Sequence, residues 1–338
     1  MMAFTSSVWG IHDAQSETDH QPTGCGFYRM VLPLEQLKAN GWKAGWKAFD
    51  PPPDLGDYRL VVGQRFDRPA VLGAWRRMRQ YHKLAYELDD DLWSVDQTNN
   101  AAYQVYSRFH TLDAVETAIN ASDLVTVTRE PLAEVIRRQT GHPNVKVIGN
   151  YVPEFVLGLE RHRPEHVTIG WTGGASHTLD TAMIARAVRR CMNTDPSLRL
   201  HIVGTDFRPT FGHTHARLTR WEPDPRNYYK NLDFDIGLAP ITSSVFNESK
   251  SFLKALEYAA MGIPVIASNF GPYPEFVQHG VTGFLAKRDK DWRDYIRELV
   301  ADDALRESMG KKARELAAQH TIEGNWHKWA AAYQEVLT

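Results

Sequence analysis

Phe246-Asn247-Glu248-Ser249-Lys250-Ser251-Phe252-Leu253-Lys254-Ala255-Leu256-Glu257-Tyr258-Ala259-Ala260-Met261-Gly262-Ile263-Pro264-Val265-Ile266 is the stretch on which the fold turns. It reads as one helix followed by one strand. Asn247 or Ser249 can cap the start, since a short polar side chain accepts a hydrogen bond from a first-turn amide. Gly262 suits the left-handed residue that closes a helix, and Pro264 stops its continuation. Leu253, Leu256 and Ala260 form one buried stripe, while Lys250, Lys254 and Glu257 fall on another face. Pro264–Ala267 then reads as a strand.

The second face carries chemistry. Unbonded amides at a helix start, together with the positive end of its dipole, favour a bound phosphate. Lys250 adds a full charge there, and Glu257, two turns on, can accept two hydrogen bonds from a vicinal diol such as a ribose. A nucleoside diphosphate offers both groups. On these residues alone, a solvated face with a Lys254–Glu257 surface pair reads equally well.

Outward from this stretch, short apolar runs alternate with helical patterns. Ala3–Trp9, Leu60–Val62, Lys83–Leu88, Leu124–Val127 and Val145–Ile148 read as strands of a first half. The polar, proline-bearing segment Pro153–His166 reads as a linker. Val167–Trp171, Leu200–Val203, Asp235–Ala239 and Pro264–Ala267 read as strands of a second half, with a helix at Thr181–Met192. Such alternation predicts α/β architecture with parallel sheets covered by helices. Ligands then sit outside the carboxyl ends of the strands.

Composition sets the frame. The 338 residues suit two α/β domains, and 43% hydrophobic with 24% charged residues is ordinary for a globular chain. A net charge of −2 gives no global field toward nucleic acid or anionic membrane. Two distant cysteines, Cys25 and Cys191, make neither a disulfide framework nor a cysteine zinc site. With no secretory pattern at the start and no long apolar run, the expected location is the cytoplasm.

Glu257 with Ala259, Ala260, Gly262 and Pro264–Ile266 resembles the second half of the donor-helix signature of the family-4 retaining glycosyltransferases, the group 1 glycosyl transferases. The resemblance runs along most of the chain, through Gly24-Cys25-Gly26-Phe27-Tyr28-Arg29, Asn150, Val203-Gly204, Asp235–Pro240, Pro274-Glu275 and Thr282-Gly283-Phe284. It implies the GT-B fold: two Rossmann-like domains facing each other across a cleft. Residues 1–155 would form the acceptor domain and 156–320 the nucleotide-sugar donor domain. A helix over 321–338 would cross back to the first domain. Two departures stand out. The signature's first glutamate falls at Ser249, so Ser249, Glu248 or backbone amides would meet the sugar. The arginine and lysine that clamp the diphosphate are replaced by Thr172-Gly173-Gly174-Ala175-Ser176-His177.

The resemblance implies glycosyl transfer from a nucleoside diphosphate sugar to an acceptor hydroxyl with retention, no tightly bound cofactor and no essential metal. Lys250, the amides near Ser251 and Phe252, and Gly173-Gly174 would stabilise the leaving diphosphate. His177 would add a donor, and Arg29 is the second candidate for clamp charge. Glu257 would hold the ribose, and Trp221 would lie near the nucleobase. The loop Gly24-Cys25-Gly26, with Asp90 of Asp89-Asp90-Asp91, would meet the acceptor or diphosphate. Strand alternation sends Asp89 and Asp91 to one side and Asp90 to the other. Three adjacent carboxylates also suit a cation or a solvated turn.

Other patterns are weaker. Gly24-x-Gly26 lacks the third glycine of a dinucleotide fingerprint, where Arg29 stands. His213-x-His215 has no third metal ligand nearby. Tyr228 and Tyr229 read as packing residues. The basic run Arg76–Lys83 fits a surface helix or a phosphate rail. That rail keeps open a DNA glycosyltransferase acting on hydroxymethylated bases. Ser249 keeps open a non-catalytic nucleotide-sugar-binding protein. A GT-B epimerase is a third alternative. The acceptor itself, whether glycan, protein, lipid or modified DNA, is not identified by the sequence.

Overall fold

A computed structural model of the protein describes residues 6–12, 22, 24–48, 55–66, 69–162, 164–212 and 215–338. The expected strand start at Ala3, most of the Gly10–Thr23 loop and His213 lie outside them. The chain packs into two units. One comprises the described parts of Met1–Val95, Ala101–Pro153 and Ile322–Thr338; the other comprises those of Asp96–Asn100 and Glu154–Thr321.

The first unit holds six parallel strands: β1 (Ser7–His12), β2 (Lys43–Ala48), β3 (Leu60–Gln64), β4 (Lys83–Leu88), β5 (Leu124–Val127) and β6 (Val145–Val147). Their order is β2-β1-β3-β4-β5-β6. β3 and β5 are buried along their whole length, which is why they read as continuous apolar runs. Trp75 and Ile119, from helices beside the sheet, join Val61, Leu84 and Val125 in the core. The final helix, His327–Leu337, belongs to this unit and buries Trp329 and Tyr333. Lys328 Nζ donates to the Tyr151 hydroxyl at 2.6 Å, and Arg59 Nη2 to the Leu337 carbonyl at 2.7 Å.

The second unit repeats the pattern with β7 (Thr168–Gly173), β8 (Arg199–Gly204), β9 (Ala216–Thr219), β10 (Ile236–Ala239), β11 (Val265–Ser268) and β12 (Gly283–Ala286). The order is β12-β11-β10-β7-β8-β9, all parallel. From β7 the chain steps outward through β8 and β9; from β10 it steps the other way. The connections after β7 and β10 therefore diverge, and the crevice they leave at the carboxyl ends is where such sheets bind ligands. Edge strands β2 and β9 carry few consecutive apolar residues, so periodicity did not reveal them.

The stretch Phe246–Ile266 differs from the single helix expected. A short helix, Val245–Glu248, is capped by Ser244, whose Oγ accepts from the Asn247 amide at 3.2 Å. The chain then turns through Ser249–Phe252, and the second helix begins at Leu253 and runs to Ala260. Phe252 leads it without a side-chain cap. Its ring stacks flat on Phe276 at 4.8 Å, with His320 edge-on at 5.8 Å, and this packing holds the backbone out of the helix there. Asn247 and Ser249 are therefore not its cap, and Lys250 does not share a helix with Lys254 and Glu257. Gly262 takes the left-handed conformation, φ +67, that ends it.

Candidate functional site

The site is built at the carboxyl ends of β7 and β10. β7 ends on Gly173, where a Cβ would lie 2.6 Å from the buried Trp171 ring and 3.0 Å from His177. Glycine is thus demanded by packing at Gly173; Gly174 has open space around its Cα. His177 closes the short 3-10 turn Ala175–His177, and the long helix Thr178–Thr194 follows.

Asp180, in the first turn of that helix, ties the site together. Its Oδ1 accepts from the Thr242 amide at 2.7 Å and the Thr242 hydroxyl at 2.9 Å. Its Oδ2 lies 2.8 Å from His177 Nδ1. Burial raises the acid, but hydrogen bonds from His177 and Thr242 outweigh it and hold it below the usual carboxylate range. A carboxylate only accepts, so His177 Nδ1 carries the proton. Burial, with the nearby Lys254 charge, pushes His177 down to about 4 against the pull of Asp180. The imidazole is neutral at pH 7 and its Nε2 is bare. His177 therefore offers an acceptor for a hydroxyl or amide donor rather than the donor to phosphate expected from its position.

Lys254 and Glu257 both reach this place from the helix Leu253–Ala260. Glu257 is buried, and its Oε2 accepts from the Tyr228 hydroxyl at 3.1 Å. That hydroxyl also lies 2.9 Å from Thr172 Oγ1 on β7. Glu257 is thus pinned to the strand end, and Tyr228 has a polar role besides packing. Lys254 Nζ lies 4.8 Å from the centre of the Trp171 ring, buried and without a hydrogen-bond partner among the described residues. Burial lowers it to about 8, with Asp180 and Glu257 opposing and Lys250 reinforcing the shift. Lys254 and Glu257 do not form the surface pair that spacing permits.

The remaining second-unit candidates fall around this centre. Lys250 sits in the turn between the helices, its Nζ 4.4 Å from the Phe246 ring centre, and its charge is felt by His177 and Lys254. Ser249 is buried, whereas Glu248 is exposed. Ser251 Oγ accepts from the Leu253 amide at 3.4 Å, and Phe252 belongs to the Phe276–His320 aromatic group. Trp221 is 47% exposed and leans on Gly204, whose φ of +107 and 2.8 Å clearance from that ring leave room only for glycine. It lies 5.8 Å from Tyr228, so an exposed indole stands beside the ring whose hydroxyl holds Glu257.

Unit one departs further from expectation. Arg29 is fully buried. It pairs with Glu87 at 2.7 Å and donates to the carbonyls of Ile148 and Gly149 at 2.5 and 2.9 Å and to Asn150 Oδ1 at 3.2 Å. It also lies 5.2 Å from the Trp329 ring centre. Its charge is enclosed within the first unit, so it is removed from the diphosphate candidates. Gly24-Cys25-Gly26 opens a helix that continues as a π-turn through Phe27–Val31. The Cys25 thiol is raised by burial and then by Asp89, so it is no thiolate nucleophile. Asp89 and Asp90 do not part: both reach Arg65, at 2.6 and 3.2 Å, because the chain turns after β4. Arg65 adopts φ +49, a left-handed conformation unusual for a side-chain-bearing residue. Sequence gave no pointer to it. Asp91 caps the turn Leu92–Ser94 by accepting from the Trp93 amide at 3.1 Å.

Among the described residues, no group of three or more His, Cys, Asp or Glu could hold a metal ion. No described helix is long and apolar enough to cross a membrane. Arg76 and Arg79 share a surface hollow with Asp113 and Glu116, so part of the basic run faces acid.

Residues 181–316 match the family described as Glycosyl transferases group 1. A D-inositol 3-phosphate glycosyltransferase of Corynebacterium aurimucosum is 30% identical over 227 residues, 62% of this chain and 47% of the relative. An N-acetyl-alpha-D-glucosaminyl L-malate synthase of Bacillus anthracis is 38% identical over 28% of this chain and 26% of its own length. The chain spans about half the length of the first curated relatives it matches. Two solved structures share the fold. Sucrose-phosphate synthase from Thermosynechococcus elongatus aligns with TM-score 0.68 and 15% identity, covering 98% of this chain and 99% of that one. HepE of Anabaena, in complex with UDP and glucose, aligns with TM-score 0.68 and 14% identity, covering 97% and 99%.

Proposed function

We propose that the chain, which has the GT-B fold and whose residues 181–316 match the group 1 glycosyl transferases, transfers a glycosyl group from a nucleoside diphosphate sugar to an acceptor hydroxyl. The observation that carries the reading is Glu257, buried at the crevice beside β7 and pinned by Tyr228. A carboxylate fixed there can accept both hydroxyls of a ribose. Trp221 supplies an aromatic face beside it for a base. Lys250 and the amides leading the Leu253–Ala260 helix receive the diphosphate. Neutral His177 turns its bare Nε2 to a sugar hydroxyl.

The reaction follows from these positions. The bond between the anomeric carbon and the diphosphate oxygen breaks, and its electron pair stays on the diphosphate. Charge grows on that oxygen in the transition state, so cations nearby lower the barrier. The acceptor oxygen bonds to the anomeric carbon on the face the diphosphate leaves, and its proton passes to the departing phosphate oxygen. Retention in this scheme rests on the family. In the first unit, Asp90 and the Gly24–Gly26 turn are the residues proposed to meet the acceptor.

A melting-temperature screen with uridine, guanosine, adenosine and thymidine diphosphate sugars tests the reading. A ligand at about 100 times its dissociation constant adds about 2.7 kcal/mol to stability, a readily measured shift. One nucleotide should raise the melting temperature selectively. No shift with any of them would remove the donor site. A shift without transfer or hydrolysis would favour a binding protein instead.

A further inference from the structure

The loop after β7 contains no arginine or lysine, and its one titratable side chain, His177, is neutral with its proton turned to Asp180. Cationic charge at this strand end comes instead from the helix Leu253–Ala260. Lys254 Nζ is buried over Trp171, and among the described residues it forms neither a hydrogen bond nor an ion pair. The two acids near it are engaged elsewhere: Asp180 by His177 and Thr242, Glu257 by Tyr228. The Trp171 indole Nε1 beneath it is a second buried donor without an acceptor. A buried ammonium lacking a partner destabilises a fold. Two such donors together at a ligand-binding strand end fit an anion of the substrate.

We propose that Lys254 is a catalytic residue that binds the diphosphate of the donor directly, supplying, with Lys250, the positive charge that the loop after β7 lacks. This rests on the nucleotide-sugar reading of the same site. Lys254 comes from beneath the strand end and Lys250 from the turn before the helix, so the phosphates lie between two cations on one segment. Because Nζ is desolvated, its attraction to a developing oxyanion is stronger than that of an exposed lysine. It needs no reorganisation as charge moves to the leaving oxygen.

The titratable groups facing Lys254 are neutral His177 and the charged Asp180, Lys250 and Glu257. A diphosphate added to that set favours the protonated amine. Binding at pH 8 should therefore draw protons from the buffer, which titration calorimetry in two buffers of different ionisation enthalpy reads directly. The probes are uridine, guanosine, adenosine and thymidine diphosphates, with the corresponding nucleosides as controls, on wild type, Lys254→Met and Lys254→Gln. Wild type should take up a fraction of a proton with the preferred diphosphate and none with its nucleoside. Lys254→Met should bind that diphosphate at least tenfold more weakly, lose the uptake, and melt above wild type when unliganded. Lys254→Gln reports the same losses should the methionine variant misfold. A diphosphate bound by wild type and either variant with equal affinity and equal uptake overturns the proposal and leaves the donor site standing. Failure of wild type to bind any diphosphate overturns both.

Discussion

Three side chains on one helix turn and its approach, Lys250, Lys254 and Glu257, differ in what surrounds them, and that decides their chemistry. Lys254 is held near 8 against an ordinary 10.5, so between those values the unfolded chain keeps a proton that the native protein has released. Stability should rise with pH across that window, and Lys254→Met should flatten the rise in urea titrations at pH 8 and 10. Arg29 is the opposite case, an enclosed charge ion-paired with Glu87. Arg29→Met should cost about 3–5 kcal/mol in denaturant unfolding, because it strands a buried acid, and leave nucleotide affinity unchanged. Lost affinity in a folded Arg29→Met protein would return it to the donor site. That Glu257 lies on a helix was legible in sequence because the pattern of that helix is local. Asp180, Tyr228 and Arg65 were not, since their partners lie far along the chain: Thr242, Glu257 and Asp89 meet them only in the fold. Lys254 was visible as a charge, but only burial separates an ammonium over Trp171 from a surface pair.

At the level of elements, the strand ends decide most. β7, β10 and β11 are buried throughout, so apolar runs revealed them, whereas their order in the sheet depends on long-range pairing and was not legible. The break at Ser249–Phe252 was not readable, because it depends on Phe252 stacking against Phe276 and His320. Local capping signals at Asn247 and Ser249 lost to that tertiary contact. The turn after β7 makes a sharper prediction. Gly173→Ala would force a methyl into the Trp171 ring, and it should destabilise the protein by about 1–3 kcal/mol in urea unfolding. Gly174→Ala meets open space and should change stability little. Equal effects at the two positions would mean that Trp171 yields more easily than its burial implies.

For the whole chain, the two α/β halves were legible from alternation, and the polar stretch from Pro153 marks the end of the first unit's central segment. The last segment is a different matter: its helical pattern says nothing of which sheet it serves, and only the family resemblance pointed to the first domain. Its Trp329 is fully buried in the first unit beside Arg29 and Tyr151. Trp329→Ala should cost about 3–5 kcal/mol of that unit's stability while sparing nucleotide affinity at temperatures where it stays folded. The central claim is a nucleotide-sugar site around Glu257. Its most direct test is calorimetric titration of wild type and Glu257→Gln with the four nucleoside diphosphates. Glutamine keeps the shape and removes the charge, and hydrogen bonds to a charged group are worth about 1.5–3 kcal/mol, roughly ten- to a hundredfold in affinity. The account predicts one diphosphate bound by wild type and a loss of that size in Glu257→Gln. Equal affinity in the two proteins, or no binding by wild type, would contradict it.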